Sequence, residues 1–226
     1  MILKSFAKIN LSLNVNKKLK NGLHDIESYY CLINLFDKII IKKNNKKKDI
    51  VKFQGRFSKH INKKKNSVLN TLSILREQNI IDNYYSVKIH KNIPVFAGLG
   101  GGTSNAACLT KYFIKKGKNK IIIDILEKKI GSDFKLFLHN QGFVKSLNKI
   151  NSFQQKYKLN FLLVFPNIKS STKNVYSKVK NYTLKSKYNL GKINSKKKFT
   201  ELLLASNNDL QQIVEKKYSI IKELLT

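Results

Sequence analysis

Four of the chain's ten glycines lie in one segment, Pro94-Val95-Phe96-Ala97-Gly98-Leu99-Gly100-Gly101-Gly102-Thr103-Ser104-Asn105-Ala106-Ala107. Before it, residues 85–90 alternate apolar and polar side chains as a half-buried strand does, and after it residues 106–116 carry apolar side chains at helical spacing. Backbone N–H groups at the start of a helix lack intrahelical partners and lie at the positive end of the helix dipole. The segment therefore predicts a phosphate-binding loop between a strand and a helix, with triphosphate as the expected ligand.

Two common glycine signatures do not describe this segment. No Gly-Lys-Ser/Thr closes the run, as a P-loop requires, and Thr103 stands where a dinucleotide fingerprint has its third glycine. An ordinary glycine turn before a helix is the alternative interpretation. The segment resembles the second motif of the GHMP kinases, a superfamily that includes galactokinase, homoserine kinase, mevalonate kinase and phosphomevalonate kinase. The resemblance implies ATP binding by Pro94, Ala97, Gly98, Leu99, Gly100, Gly101, Gly102, Thr103, Ser104 and Asn105.

The composition indicates a globular protein and names no partner. The chain has 226 residues, 42% of them hydrophobic, and a formal net charge of +32. Such a charge suggests a nucleic-acid partner, but arginine, which suits phosphate and base contacts best, occurs only at Arg56 and Arg76. Abundant lysine and asparagine with no tryptophan are typical of an A/T-rich coding sequence. We therefore expect no nucleic-acid partner, and we expect the lysine runs at residues 42–48 and 63–65 to be solvated.

The cysteines and the N-terminus indicate a cytoplasmic protein. Cys31 and Cys108 lie in apolar segments without metal-like spacing, which favours reduced core thiols, although a disulfide stays possible. Lys4, Lys8 and Asn10 interrupt the first apolar residues, so neither a signal peptide nor a membrane partner is expected.

The periodicity predicts an α+β protein with two lobes. A polar stretch after residue 148 suggests a boundary near residue 150, which gives domains of residues 1–150 and 151–226. Strands are predicted at residues 3–15, 29–35, 37–42, 85–90, 143–147 and 160–165, and helices at 68–79, 121–130 and after the glycine segment.

A second polar pattern lies near the N-terminus, in Ala7-Lys8-Ile9-Asn10-Leu11-Ser12-Leu13-Asn14-Val15. Its alternation predicts an amphipathic strand, on which Lys8 would simply face solvent. However, Asn21-Gly22-Leu23-His24 and an apolar run that ends at Leu35-Phe36-Asp37 follow it. This order resembles the family of 4-diphosphocytidyl-2-C-methyl-D-erythritol kinases, whose members read Ala-Lys-x-Asn-Leu-x-Leu, Asp-Gly-Tyr-His and then Leu-x-Asp.

A third motif, Gly131-Ser132-Asp133-Phe134-Lys135-Leu136-Phe137-Leu138, resembles that family's Gly-Ala/Ser-Asp-Val-Pro-Phe-Phe-Leu. Taken alone, Asp133 could be a turn or helix-capping residue. The resemblance implies that Asp133 accepts the proton of the substrate hydroxyl and that Lys8 stabilises negative charge beside it. It also implies Mg²⁺ with ATP; Ser104 is a candidate contact, and the metal ligands stay open.

For the substrate, the resemblance implies contacts from Asn10, His24, Thr172 and Tyr176. His24 would bind the cytosine edge, and Tyr176 would cover one face of the base. Leu23 replaces the family's tyrosine, so one aromatic face is lost unless Tyr29 or Tyr30 compensates. The family resemblance predicts a two-lobed GHMP kinase fold, with a ribosomal protein S5 domain 2-like N-terminal lobe.

The C-terminal part resembles the family at Asn208-Asp209-Leu210, but it contains no Ser/Thr-Gly-Ser/Thr-Gly loop. The expectation is therefore a fragment or an early stop, with an incomplete α/β C-terminal domain. The activity that the resemblance implies is ATP-dependent phosphorylation of the 2-hydroxyl of 4-diphosphocytidyl-2-C-methyl-D-erythritol, a small-molecule substrate. The alternatives are a kinase for another small alcohol, a silent fragment that binds ligand, and a basic nucleic-acid-binding protein. Oligomeric state stays open.

Overall fold

The computed structural model describes residues 1–114, 120–146, 149–152, 157–185 and 195–225. Within these residues, strands and helices alternate irregularly along the chain, which confirms the predicted α+β class. The strands are β1 (Ile2–Asn10), β2 (Asn14–Lys18), β3 (His24–Asn44), β4 (Ile50–Gln54), β5 (Tyr84–His90), β6 (Gln141–Ser146) and β7 (Lys149–Ser152). The helices are α1 (Ser67–Glu77), α2 (Gly101–Phe113), α3 (Lys120–Ile130), α4 (Thr172–Tyr176), α5 (Lys196–Leu204), α6 (Gln211–Lys217) and α7 (Ser219–Glu223), with a 3₁₀ helix at Phe134–Leu138.

The chain divides into two compact units that interleave along the sequence. Unit 1 comprises Met1–Lys8, Leu32–Val95 and Leu99–Asn140, and unit 2 comprises Ile9–Cys31, Phe96–Gly98 and Gln141–Thr226. The strands β1 and β3 therefore contribute residues to both units. The compact units are not the continuous segments 1–150 and 151–226, and that division stays a prediction about the domains.

Unit 1 is a sheet covered by helices. Strand β5 pairs antiparallel with the second part of β3 and parallel with β4, so that Ile39 lies opposite Ile89 and Ile41 opposite Val87. These alternate side chains are buried, because one face of the strands packs on α1, α2, α3 and the 3₁₀ helix. The residues of α2 that follow the glycines, including Ala106 and Ala107, belong to this continuous apolar cluster.

Local signals explain the bounds of α1. Asn66 caps its start, since the Asn66 side chain accepts a hydrogen bond from the Leu69 N–H at 3.0 Å. The helix ends at Glu77, before Asn79, whose φ of 54° is left-handed. The predicted helix over residues 68–79 is therefore confirmed, with bounds shifted by one or two residues.

Unit 2 is held by a smaller aromatic core. The first part of β3 pairs antiparallel with β2 and with β6, and β6 pairs with β7. Tyr29 packs against Phe143 at 4.8 Å and against Phe199 at 5.6 Å between ring centroids, and Tyr157 stacks on Phe199 at 4.6 Å. Burial of these four rings joins the sheet to α5.

Four of the predicted strands differ from the structure. The predicted strand at 3–15 is two strands, β1 and β2, with an interruption at residues 11–13. Residues 29–35 and 37–42 belong to one continuous strand, β3, because partners on different strands pair with successive parts of it. The predicted strand at 160–165 has no regular structure. Leu162 is 91% and Val164 61% exposed, so this apolar run neither pairs with another strand nor packs into a core. Strand β4 was not predicted, although Ile50, Val51 and Phe53 carry a weak signal for it.

The predictions for the cysteines and for the lysine runs agree with the structure. Cys31 and Cys108 are both free thiols. The lysines of residues 42–48 and 63–65 are exposed. In the described part of the chain, no helix has the length and apolar character needed to cross a membrane.

Candidate active site

The glycine segment forms the predicted loop between a strand and a helix. We define the glycine loop as residues 94–100, which lie after β5 and before α2. Gly100 occupies the N-cap position of α2 with a φ of 67°, and no side chain caps the helix there. The helix start is therefore not covered by its own cap, which is the arrangement that favours an anion.

Gly100 is fixed at its position by close packing as well as by its left-handed backbone. A Cβ at Gly100 would lie 2.5 Å from the Cζ atom of Phe137, which belongs to the 3₁₀ helix. Ser67, the first residue of α1, donates a hydrogen bond from its hydroxyl to the Gly102 carbonyl at 2.7 Å. These contacts hold the start of α2 between the 3₁₀ helix and α1.

Lys8 and Asp133 form an ion pair beside the α2 end of the glycine loop. The Lys8 Nζ donates to Asp133 Oδ2 at 3.1 Å, and the Lys8 backbone N–H donates to the Leu99 carbonyl at 3.1 Å. The Lys8 side chain is only 4% exposed, whereas that of Asp133 is 42% exposed. The interpretation of Lys8 as a solvent-facing strand lysine is therefore wrong.

Asp133 occupies the N-cap position of the 3₁₀ helix, but its side chain makes no capping hydrogen bond. A capping role thus does not explain this residue. Next to it, Lys135 forms ion pairs with Asp124 and Glu127 of α3, both at 2.7 Å. These pairs attach the segment that carries Asp133 to α3.

Ser104 and Asn105 lie in the first turns of α2, and their side chains are both 2% exposed. The Ser104 hydroxyl donates to the Phe6 carbonyl at 2.6 Å and lies 2.7 Å from the Ser5 hydroxyl. Asn105 Nδ2 donates to Ser5 Oγ at 2.9 Å and to Asp37 Oδ2 at 3.0 Å. Both side chains are therefore engaged within unit 1, and Ser5 and Asp37 are partners that the sequence reasoning missed.

The predicted cytosine-binding residues of unit 2 are neighbours. The rings of His24 and Tyr176 lie 5.2 Å apart between centroids, at an interplanar angle of 33°. Burial, and secondarily the charge of Lys18, lower the pKa of His24 below its ordinary value, so its imidazole is neutral at pH 7. A neutral imidazole carries one donor and one acceptor nitrogen.

Leu23 is not compensated by the neighbouring tyrosines of β3. Leu23 is 42% exposed, whereas Tyr29 is 3% and Tyr30 0% exposed. Tyr29 belongs to the aromatic core, and Tyr30 packs against Gly142, where an added Cβ would lie 3.0 Å from the Tyr30 hydroxyl. Neither ring is therefore available to stack on a ligand.

The remaining predicted residues also belong to unit 2. Asn10 ends β1, and Thr172 begins α4, where it is exposed. Two cavities of about 980 and 450 Å³ occur in unit 2, and no predicted site residue lines either. Among the described residues, no cluster of three metal-binding side chains was found.

The fold and the glycine loop place the chain among the GHMP kinases, a class of small-molecule kinases. Residues 66–131, which include the glycine loop, match the family model for the GHMP kinases N terminal domain.

Relatives place the chain in a particular family within that class. It is 38% identical to 4-diphosphocytidyl-2-C-methyl-D-erythritol kinase of Pelagibacter ubique, across 98% of this chain and 79% of that protein. It is 33% identical to the kinase of the same name from Ureaplasma parvum, across 98% of this chain and 86% of that protein. The chain belongs to the 4-diphosphocytidyl-2-C-methyl-D-erythritol kinase family and is an enzyme.

A solved structure agrees at the level of the fold. The crystal structure of a 4-(cytidine 5'-diphospho)-2C-methyl-D-erythritol kinase superposes with a TM-score of 0.68 at 20% identity. The match covers 99% of this chain and 81% of the other. The GHMP kinase fold expected from the sequence is therefore confirmed.

Proposed function

We propose that this enzyme transfers the γ-phosphoryl group of ATP to the 2-hydroxyl of 4-diphosphocytidyl-2-C-methyl-D-erythritol. The observation that carries the proposal is the Lys8–Asp133 ion pair, whose lysine is also bonded through its backbone to the glycine loop. Family membership supports the choice of substrate, because the relatives carry the name of this activity.

In the proposed reaction, Asp133 receives the proton of the attacking hydroxyl. A tertiary alcohol is a poor nucleophile at neutral pH, so a nearby carboxylate helps to remove its proton in the transition state. The half-exposed Asp133 is accessible to a substrate, while the buried Lys8 holds the carboxylate in position and stabilises negative charge. Phosphoryl transfer depends mainly on such alignment and charge neutralisation.

The nucleotide is assigned to the glycine loop and the start of α2. Backbone N–H groups there bind the phosphates, and the absence of Cβ atoms allows the phosphate oxygens to approach. Magnesium bound with ATP would neutralise charge on the phosphate oxygens. Mg²⁺ commonly keeps several waters and takes few protein ligands, so the site need not supply a cluster of carboxylates. The Ser104 hydroxyl, the candidate metal contact, is bonded to Phe6 and Ser5 in this structure.

The cytidine end of the substrate is assigned to His24 and Tyr176. The neutral imidazole of His24 has an acceptor nitrogen for the exocyclic amine of cytosine, and the Tyr176 ring offers a face for stacking. Asn10 and Thr172 supply further polar groups to the substrate in this proposal.

The proposal is tested by measuring ADP release with ATP, Mg²⁺ and 4-diphosphocytidyl-2-C-methyl-D-erythritol, followed by ³¹P NMR of the product. We expect substrate-dependent ADP release and one new phosphomonoester signal. Mevalonate and homoserine serve as competing alcohols, and CMP should inhibit if the cytidine end is recognised. ADP release that responds equally to mevalonate, without inhibition by CMP, would contradict the assigned substrate.

A further inference from the structure

Asp37 is a fully buried carboxylate that the proposed chemistry does not use. It lies in β3, is 0% exposed, and accepts four hydrogen bonds. Its Oδ1 accepts the backbone N–H groups of Asn92 at 2.8 Å and Ile93 at 2.9 Å. Its Oδ2 accepts Lys91 Nζ and, at 3.0 Å, Asn105 Nδ2.

These partners flank the glycine loop on both sides. Asn92 and Ile93 directly precede the loop. The helix α2 directly follows the loop, and Asn105 lies one turn into this helix. A Cβ at Gly101 would lie 3.1 Å from Ile93 Cγ2 and 3.2 Å from Lys91 Nζ, so the first residue of α2 packs on the same group of side chains. One carboxylate therefore contacts the backbone before the loop and a side chain after it.

We propose that Asp37 is a positioning residue for the nucleotide, which fixes the two ends of the glycine loop at the separation that phosphate binding requires. The inference rests on the proposed function, since it assigns the nucleotide to this loop. Asp37 acts through its hydrogen bonds to the backbone and to Asn105. Lys91 balances the buried charge; it is 2% exposed, and burial lowers its pKa while the contact with Asp37 opposes that shift.

A pair of double variants separates positioning from stability. Asp37→Leu with Lys91→Met replaces the ion pair by apolar side chains, a change that buried ion pairs often tolerate, and it leaves the N–H groups of Asn92 and Ile93 without their acceptor. Asp37→Asn with Lys91→Met also removes both charges but keeps an acceptor oxygen for the Asn92 and Ile93 N–H groups. The Asn105 amide can rotate to accept from the new amide, because Lys91 no longer occupies its oxygen.

The first measurement is Mg·ADP binding by calorimetry, with CMP binding as the internal control. We call Asp37→Leu with Lys91→Met the Leu/Met pair and Asp37→Asn with Lys91→Met the Asn/Met pair. We expect the Leu/Met pair to weaken Mg·ADP binding at least tenfold and to leave CMP binding within twofold of wild type. The Asn/Met pair should bind Mg·ADP within threefold of wild type. A folded Leu/Met protein that binds Mg·ADP like wild type would overturn the inference.

Amide hydrogen exchange tests the same inference without any ligand. Exchange at residues 92–104 should accelerate in the Leu/Met pair and stay at the wild-type rate in the Asn/Met pair; equal rates in both would contradict the positioning role. Failure of the wild type to bind Mg·ADP would count against the proposed function, while the exchange result would still decide the role of Asp37. If the Leu/Met pair does not fold, Asp37→Ala with Lys91→Met, which removes the same acceptor, takes its place in both measurements, and unchanged binding and exchange in that variant would overturn the inference.

Discussion

The two groups of candidate residues differ in how they are held. In unit 1, Lys8 is nearly buried, and Asp133 is attached through the 3₁₀ helix to a continuous apolar core. In unit 2, Tyr176 ends a helix of five residues, and residues 157–171 before it have no helix or strand. Small displacements of reacting groups cost large factors in rate, whereas loss of one stacking contact costs about 1 kcal/mol. Substitutions in unit 1 should therefore impair turnover steeply, and those in unit 2 should change affinity modestly.

The largest effect is expected for Asp133→Asn. Loss of the proton acceptor should lower kcat by about 10²–10⁴-fold, because this is the usual contribution of a general base. Steady-state kinetics checks the result, and Mg·ADP affinity should stay within twofold of wild type. The matched control is Asp82→Asn, which changes an exposed carboxylate of unit 1. Full activity of the Asp133 variant would exclude the assigned role.

Gly100→Ala should have the next largest effect. A left-handed alanine costs about 1–2 kcal/mol, and overpacking against Phe137 adds about 1–3 kcal/mol. Thermal unfolding should show a lower Tm, and the KM for ATP should rise at least tenfold. Gly98→Ala is the matched control, because Gly98 has a φ of 73° but nothing within 4 Å of its Cβ position. Equal losses in both variants would show that packing on Phe137 is unimportant.

Tyr176→Ala should have a smaller effect on the cytidine end. Loss of one stacking face should cost about 1 kcal/mol, which is about a fivefold increase in the Kd of CMP. Tyr176→Phe should restore the wild-type value, because stacking needs the ring rather than the hydroxyl. Tyr182→Ala removes another exposed tyrosine of unit 2 and should leave CMP binding unchanged. A Kd of CMP that does not move in Tyr176→Ala would argue against stacking at this position.

The smallest effect is a change with pH. Because burial lowers the pKa of His24, its imidazole keeps an acceptor nitrogen until the pH falls below the ordinary histidine value of about 6.5. CMP affinity should therefore be constant between pH 8 and pH 7, within about a factor of two, and decline only in more acidic buffer. Calorimetry across this range checks the profile, and His24→Gln should show none of the acid decline.

The sequence predicted the glycine loop correctly because its signals are local: a strand period, a glycine cluster and a helical period follow one another. The pairing of Lys8 with Asp133 joins residues 125 positions apart, and only the family resemblance pointed to it. The sequence did not predict that Asp37 is a partner of Asn105, because a single aspartate in an apolar run has no periodicity that would indicate its contacts. The exposed segment 160–165 shows the opposite error, because strand-like composition does not supply a partner strand.

The central claim is that nucleotide phosphates bind at the glycine loop and that cytidine binds through His24 and Tyr176. The most direct test is to titrate Mg·ADP and CMP separately into wild type, Gly100→Ala and His24→Ala, after checking that each variant is folded. We predict that Gly100→Ala loses Mg·ADP affinity and keeps CMP affinity, and that His24→Ala does the reverse. Variants that lose both ligands to the same extent would contradict the claim.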